Sequence, residues 1–280
     1  MAVKLNRHAP KTIQFEGLAR CNAHCTFCPI TGDMTRGRGE MSDELFHKII
    51  REGKMMRAKR FSPFLNGEPF LHSKIFDWLD YMEKEDVTIA LFTNVSLLNK
   101  EKIDKLVKNK KIKHIVCSIN AATKETHEKV MRLKNFDRVV ENVKYLIEKA
   151  PFKIICGFAV VEDNKHEVEQ FKTMWGKYAH INDYVNWGGT RHDPMEMTGK
   201  RVPCHHLNHI YILWDGRVCL CCFDYDGRVI LGDINKQSLR EIWDSEIYRD
   251  IRERHKKLDF DMDLCRNCNV NCKKERFVWQ

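Results

Sequence analysis

Over roughly the first two thirds of the chain, apolar positions alternate between two periods. Short runs at 12–18, 60–65, 87–93, 112–119, 152–160 and 181–187 carry the compact apolar pattern of strands. Between them apolar residues recur at helical spacing: Phe46/Ile49/Ile50, Ile75/Trp78/Leu79/Met82, Ile103/Leu106/Val107, Val139/Val140/Val143/Leu146/Ile147 and Val168/Phe171/Met174/Trp175. Ser42, Ser73 and Asn99 stand just before three of these helices, where a side-chain oxygen can accept from an otherwise unpaired backbone N–H. Strand–helix units repeated in this way predict an α/β fold around a parallel sheet. Pro63 has no N–H to give a sheet ladder, so the strand at 60–65 must be short or locally distorted.

After residue 190 the pattern changes. Gly188-Gly189, Asp193-Pro194, Gly199 and Pro203 interrupt the chain, which divides it into 1–190 and a smaller unit at 191–280. Apolar runs at 209–214 and 217–222 flank Asp215-Gly216, a pair suited to the positive φ of a tight hairpin. Strand alternation would put Cys219 and Cys221 on one face and Cys222 on the other. One helix is expected at 238–256, burying Leu239, Ile242, Trp243, Ile247 and Ile251.

Composition narrows the class. The 280 residues are 43% hydrophobic and 31% charged with sparse Gly and Pro, which fits a folded globular chain and excludes a low-complexity one. Met1–Arg7 lacks the apolar core of a secretory signal, and no stretch approaches the ~18 apolar residues of a membrane span. A cytoplasmic protein is expected. Its twelve cysteines, grouped as 21/25/28, 204/219/221/222 and 265/268/272 with Cys117 and Cys156 alone, then read as metal ligands in a reducing compartment rather than as disulfides. Much of the +9 charge comes from lysines at 100, 102, 105, 108, 110, 111 and 113, a solvated helix face without the interleaved aromatics of a nucleic-acid surface.

The first cysteine group is the sharpest chemical signal. Cys21, Cys25 and Cys28 follow the first strand as C-x3-C-x2-C, and three thiolates leave one iron of a [4Fe-4S] cube without a protein ligand. Zinc, with His24 as fourth ligand, is the alternative on local spacing. It would require His24, adjacent to Cys25, to fold back sharply.

Asn66-Gly67-Glu68-Pro69 follows the second strand, Thr93-Asn94 the third and Ser118-Ile119-Asn120 the fourth. In this order the chain resembles the radical S-adenosylmethionine (SAM) enzymes. Over about residues 10–190 the resemblance implies a partial (β/α)6 TIM-like barrel, with SAM chelating the open iron held by Cys21, Cys25 and Cys28. It places Phe27 against the adenine and assigns the methionine amino group to Asn66, Gly67, Glu68 and Pro69, where Asn66 replaces the first glycine of the family's GGEP motif. Asn94, Ser118 and Asn120 become candidates for the ribose and carboxylate, or else they satisfy strand-end backbone. The implied reaction takes one electron from a flavodoxin- or ferredoxin-type donor and cleaves SAM to a 5′-deoxyadenosyl radical, which abstracts hydrogen from substrate.

The C-terminal unit resembles the SPASM/twitch extension through Cys204, Gly216 and Cys221, then Cys265 and Cys268. The resemblance implies one auxiliary iron–sulfur cluster on Cys204, Cys221, Cys265 and Cys268, probed against a zinc ribbon as the plainer reading. Cys219, Cys222 and Cys272 stay unassigned. Cys117 and Cys156, if turned inward, could donate hydrogen to a substrate radical; otherwise they are inert core.

Three functions follow. The first is oxidation of a small polar metabolite such as a sugar or aminocyclitol, with the auxiliary cluster taking the second electron; with a first strand expected from residue 12, no preceding peptide-recognition domain is expected. The second is peptide modification by thioether formation, carbon–carbon linkage or epimerisation, with Arg36, Arg38, Arg191 and His192 meeting an acidic leader. The third is an iron–sulfur electron carrier, which leaves Gly67-Glu68-Pro69 without a use.

Overall fold

The computed structural model describes residues 5, 8–191, 200–270 and 272–273. Six strands, β1 (Thr12–Phe15), β2 (Arg60–Ser62), β3 (Ile89–Thr93), β4 (Ile112–Ser118), β5 (Lys153–Ala159) and β6 (Ala179–Asn182), pair in parallel and in sequence order. They are connected through α1 (Asp43–Met55), α2 (Ile75–Lys84), α3 (Lys100–Lys108), α4 (Lys124–Val130), α5 (Phe136–Lys149) and α6 (Val168–Trp175). This is the expected open run of β/α units. The strand C-terminal ends, and so the loops that follow them, all lie at one end of the sheet.

The helix-facing layer is well packed. Phe15 of β1 lies 5.8 Å from Phe46 of α1, which stacks at 4.2 Å on Trp78 of α2. Ser42 and Asn99 cap α1 and α3 as expected, accepting from Leu45 and Lys102 backbone N–H groups. Ser73 does not cap α2: the N-cap is Lys74, which makes no side-chain cap bond and whose N–H is taken by His72 Nδ1 at 3.2 Å. β2 ends at Ser62, immediately before Pro63.

The C-terminal unit is joined to the barrel strands rather than standing apart. After β7 (Lys200–Arg201), β8 (His209–Ile212) pairs in parallel with β1, Thr12 opposite His209 and Phe15 opposite Ile212. β9 (Arg217–Cys219) and β10 (Ile230–Asp233) follow antiparallel, giving the sheet order β10-β9-β8-β1-β2-β3-β4-β5-β6 among the described residues. The strand stops at Cys219, so the alternation expected to carry through Cys221 and Cys222 ends there, and these two residues lie in a turn.

The helix expected over 238–256 is two helices, α7 (Leu239–Trp243) and α8 (Glu246–Lys256). Ser245 interrupts it by capping α8 through the Tyr248 N–H, and the break rephases the buried face. Ile247, expected inside, is 47% exposed, and Tyr248 is buried instead with its hydroxyl donating to His209 O at 2.6 Å. A short α9 (Asp263–Arg266) and β11 (Cys272–Lys273), paired with β7, complete the fold. No helix of the described residues is long and apolar enough to cross a membrane.

Candidate active site

The loop after β1 carries Cys21, Cys25 and Cys28 and is held by the loops after β2 and β3 and by the C-terminal end of α4. Gly67, at φ +140°, brings its backbone so close that a Cβ would lie 2.6 Å from both Leu18 O and Arg20 O, and Glu68 N donates to Arg20 O at 2.9 Å. Only glycine fits there. Asn94 Nδ2 donates to Asn22 Oδ1 (3.0 Å) and faces Cys21 Sγ (3.9 Å), while Asn22 Nδ2 donates to Ser96 Oγ (2.8 Å). On the far side His24 N and Thr26 N donate to Met131 O and Val130 O, and Cys25 Sγ lies 3.4 Å from Met131 Sδ.

Burial dominates the electrostatics. It pushes the Cys21 thiol up to about 12, Cys28 to about 11 and Cys25 well above its ordinary value, with mutual repulsion among the three adding to Cys25. Such thiols stay protonated until a metal supplies compensating positive charge, and a bound metal deprotonates a coordinating thiol outright. The donor set therefore fits an iron cluster. His24 is exposed, which argues against the zinc reading that needed it as a ligand. Among the described residues no three His, Cys, Asp or Glu side chains gather around one ion position, whereas a cube distributes its thiolates over separate irons.

Glu68 is 2% exposed, and desolvation raises its carboxyl to about 7 although Thr93 Oγ1 (2.7 Å), Asn94 N (2.8 Å) and Phe70 N (3.3 Å) all donate to it. A buried carboxyl beside a cluster loop is suited to receive a cationic group. Asn66 is equally buried, and both polar atoms of its side chain lack partners. Asn120 is in left-handed backbone (φ 58°), with its Oδ1 accepting from Ala159 N at 2.8 Å and its Nδ2 facing Met131 Sδ at 3.1 Å. Its Oδ1 thus satisfies a backbone donor at the end of β5. Ser118 closes β4 half-buried, and Phe27 packs with Cys21, Cys25, Met131 and Leu133.

The second cysteine set also converges. Cys204 interacts electrostatically with Cys222, Cys265 and Cys268, and Cys221 with Cys204, Cys222 and Cys268. Burial raises every thiol of the set for which a shift is resolved, Cys222 and Cys265 to about 12, so the same argument for a charge-supplying metal applies. Cys222 is thus a fifth thiol at the site, 3.6 Å from His206 Nδ1. Cys219 packs instead with Leu65, Tyr211 and Leu213; the side chain of Cys272 lies outside the described residues.

Cys117 and Cys156 do not face a substrate. They pair in register across β4 and β5, and Phe158, two residues beyond Cys156 on the same face, packs at 4.9 Å on Phe171 of α6. Both thiols therefore point into the helix-facing core, where each is 0% exposed. The expectation of an inward donor is corrected by strand register.

Of the arginines considered for an acidic leader, Arg36 and Arg191 are half-buried, whereas Arg38 is exposed. Arg36 Nη2 meets Glu16 Oε1 at 2.6 Å and its Nε donates to Tyr225 O; Arg38 Nη2 donates to Ile30 O at 2.8 Å; Arg191 bonds Asp33 and Thr26 O. His192 lies outside the described residues. The Arg36–Glu16 pair, Met131 and Asn22 belong to the site's frame yet carry no sequence signal, because each acts through a partner distant along the chain.

Comparison with known proteins agrees with this site. The chain is 27% identical over 163 residues to an AdoMet-dependent heme synthase of Methanosarcina barkeri, covering 58% of this chain but only 46% of that protein. Over 263 residues it is 23% identical to the S-adenosyl-L-methionine-dependent 2-deoxy-scyllo-inosamine dehydrogenase of Niallia circulans, covering 92% of each. Among solved structures, BtrN in complex with AdoMet and 2-DOIA aligns with TM-score 0.66 at 18% identity, covering 92% of both chains. Streptococcus suis SuiB bound to precursor peptide SuiA aligns with TM-score 0.73 at 16% identity, covering 94% of this chain and 70% of that one. The iron–sulfur cluster-binding SPASM family matches residues 204–269, around the second cysteine set. The Radical SAM superfamily matches residues 16–174, more than half of the chain and including the first cysteine loop, and the protein belongs to that superfamily, in its SPASM/twitch subgroup.

Proposed function

We propose that this radical SAM protein dehydrogenates a small polar metabolite, of the sugar or aminocyclitol class. The observation that carries the reading is the alignment to the inosamine dehydrogenase, which extends over 92% of each chain. When bound, the groups implied by the family supply a hydrogen-abstracting 5′-deoxyadenosyl radical at the first site and an electron acceptor at the second. The product would then be two hydrogens poorer than the substrate.

The chain's own residues have distinct tasks in this reading. Cys21, Cys25 and Cys28 would hold the SAM-binding cluster; Cys204, Cys221, Cys265 and Cys268 the auxiliary one. Glu68, buried and near neutrality, would take the methionine ammonium, which returns the carboxyl to its charged form. Asn94 would fix the cluster loop through Asn22, and Phe27 would present its ring beside the adenine. The largely buried loops after β2 and β3 would limit the access of water to a radical formed there.

A peptide substrate is the second reading, favoured by the likeness to SuiB, whose structure holds its precursor peptide. Against it, Arg36 and Arg191 are engaged within the fold rather than presented to an acidic leader. The deciding experiment incubates anaerobically reconstituted, reduced enzyme with SAM and either aminocyclitols and sugars or candidate precursor peptides. Mass spectrometry should find a product lighter by two hydrogens and stoichiometric 5′-deoxyadenosine with the first group. Modified peptide with no metabolite oxidation would reject the proposal.

A further inference from the structure

Between β6 and β7 the chain passes through Tyr184–Arg191, and this one segment bonds to both cysteine loops. Trp187 Nε1 donates to Phe27 O and Arg191 Nη1 to Thr26 O, each at 2.9 Å. Thr26 and Phe27 are the two residues that separate Cys25 from Cys28. In the other direction Asn186 Nδ2 donates to Asn267 O at 2.7 Å, and Asn267 lies between Cys265 and Cys268. Asn186 also exchanges a pair of bonds with Asn269, its N donating to Asn269 Oδ1 and its Oδ1 accepting from Asn269 N, both 3.2 Å.

The segment has little freedom to yield. Trp187, Gly188 and Gly189 adopt φ of 49°, 65° and 77° in succession. A Cβ at Gly188 would meet Leu264 Cδ2 at 2.8 Å and one at Gly189 would meet Asn267 Cβ at 2.7 Å, so the backbone is pressed directly onto the auxiliary turn. Left-handed backbone at a tryptophan persists only where surrounding contacts over-determine it. Here they do: Phe223 and Tyr225 flank the indole edge-on, Thr190 Oγ1 donates to Trp187 O at 2.9 Å, and Asp33 holds Arg191 Nε at 2.6 Å.

We infer that Tyr184–Arg191 is a strut that couples the two C-x2-C turns, so that loosening its hold on one turn changes the order of the other. Asn186 and Trp187 are its positioning residues, one bonded to each turn. The two turns come from a loop after β1 and from α9, more than two hundred residues apart in sequence on the described chain, and the strut gives them a shared mechanical reference. This inference concerns either substrate class equally.

The test uses reconstituted holoenzyme under anaerobic conditions, with hydrogen exchange of the 21–28 and 265–269 segments and a SAM titration followed by the EPR signal of the reduced cluster. Asn186→Ala should raise exchange at 24–28 and weaken SAM binding at least about 5-fold, the lower end of couplings between linked sites. Trp187→Phe keeps the aromatic packing and removes the donor to Phe27 O; it should raise exchange at 265–269 by the reciprocal route. The double variant should then be no worse than the poorer single one, because both act on one element. Exchange that rises only at the turn bonded to the substituted residue, with SAM affinity unchanged, overturns the inference. If Asn186→Ala fails to fold, Trp187→Phe decides alone: wild-type exchange at 265–269 refutes the coupling.

Discussion

Glu68→Gln tests the electrostatics of the SAM site directly. Glu68 is fully enclosed, and desolvation raises its carboxyl from 4.5 to about 7. Because the folded state holds this proton more tightly than the unfolded one, the group's stabilising contribution is complete below pH 4.5 and is lost as pH rises toward 7. The span of roughly 2.5 units at about 1.36 kcal/mol each gives ~3 kcal/mol. Urea midpoints of the reconstituted protein between pH 4.5 and 8 would be compared with those of Glu68→Gln, so that titration of the thiols and of Glu16 and Asp224 cancels in the difference. The wild type should lose about 3 kcal/mol relative to the variant across that window and run parallel to it above pH 7. SAM affinity should move the opposite way, weakening roughly tenfold per unit below pH 7 in the wild type as the carboxyl takes up its proton. Parallel stability curves for the two proteins throughout would refute the claim that burial controls this carboxyl.

Three further outcomes are expected. Alanine at Cys21, Cys25 or Cys28 should abolish 5′-deoxyadenosine formation, whereas Cys265→Ala should spare SAM cleavage more than product formation, as read by chromatography of both; equal tolerance of all four changes would reject both ligand assignments. Cys117→Ala and Cys156→Ala should each leave the product unchanged and cost about 1–2 kcal/mol in denaturant unfolding, the scale of a small core cavity. Glu16→Gln should lower stability by about 3–5 kcal/mol, since Arg36, whose side chain is only 5% exposed, would keep a buried charge without its carboxylate; a loss under 1 kcal/mol would show the pair to be solvated.

Sequence was a good guide where the chemistry is local. C-x3-C-x2-C lies within eight residues and each helix writes its own buried face, so the cysteine loop and the parallel β/α order were readable, whereas the burial of the Glu68 carboxyl was not. It misled where one residue's capping or phasing had to be weighed against packing: Ser73 yields to Lys74 as the N-cap of α2, and Ser245 divides the helix at 238–256 and turns Ile247 outward.

What the amino-acid order determined by itself was which donors exist and how they are spaced, because a turn or a strand end constrains only its neighbours. The tertiary structure alone decided which way Cys117 and Cys156 face, that β8 pairs with β1, that Cys222 joins the auxiliary thiols, and that Asn186 and Trp187 hold two distant turns. Strand register and docking arise from many small packing and hydrogen-bonding terms summed over residues far apart in the chain, and local periodicity carries no record of that sum.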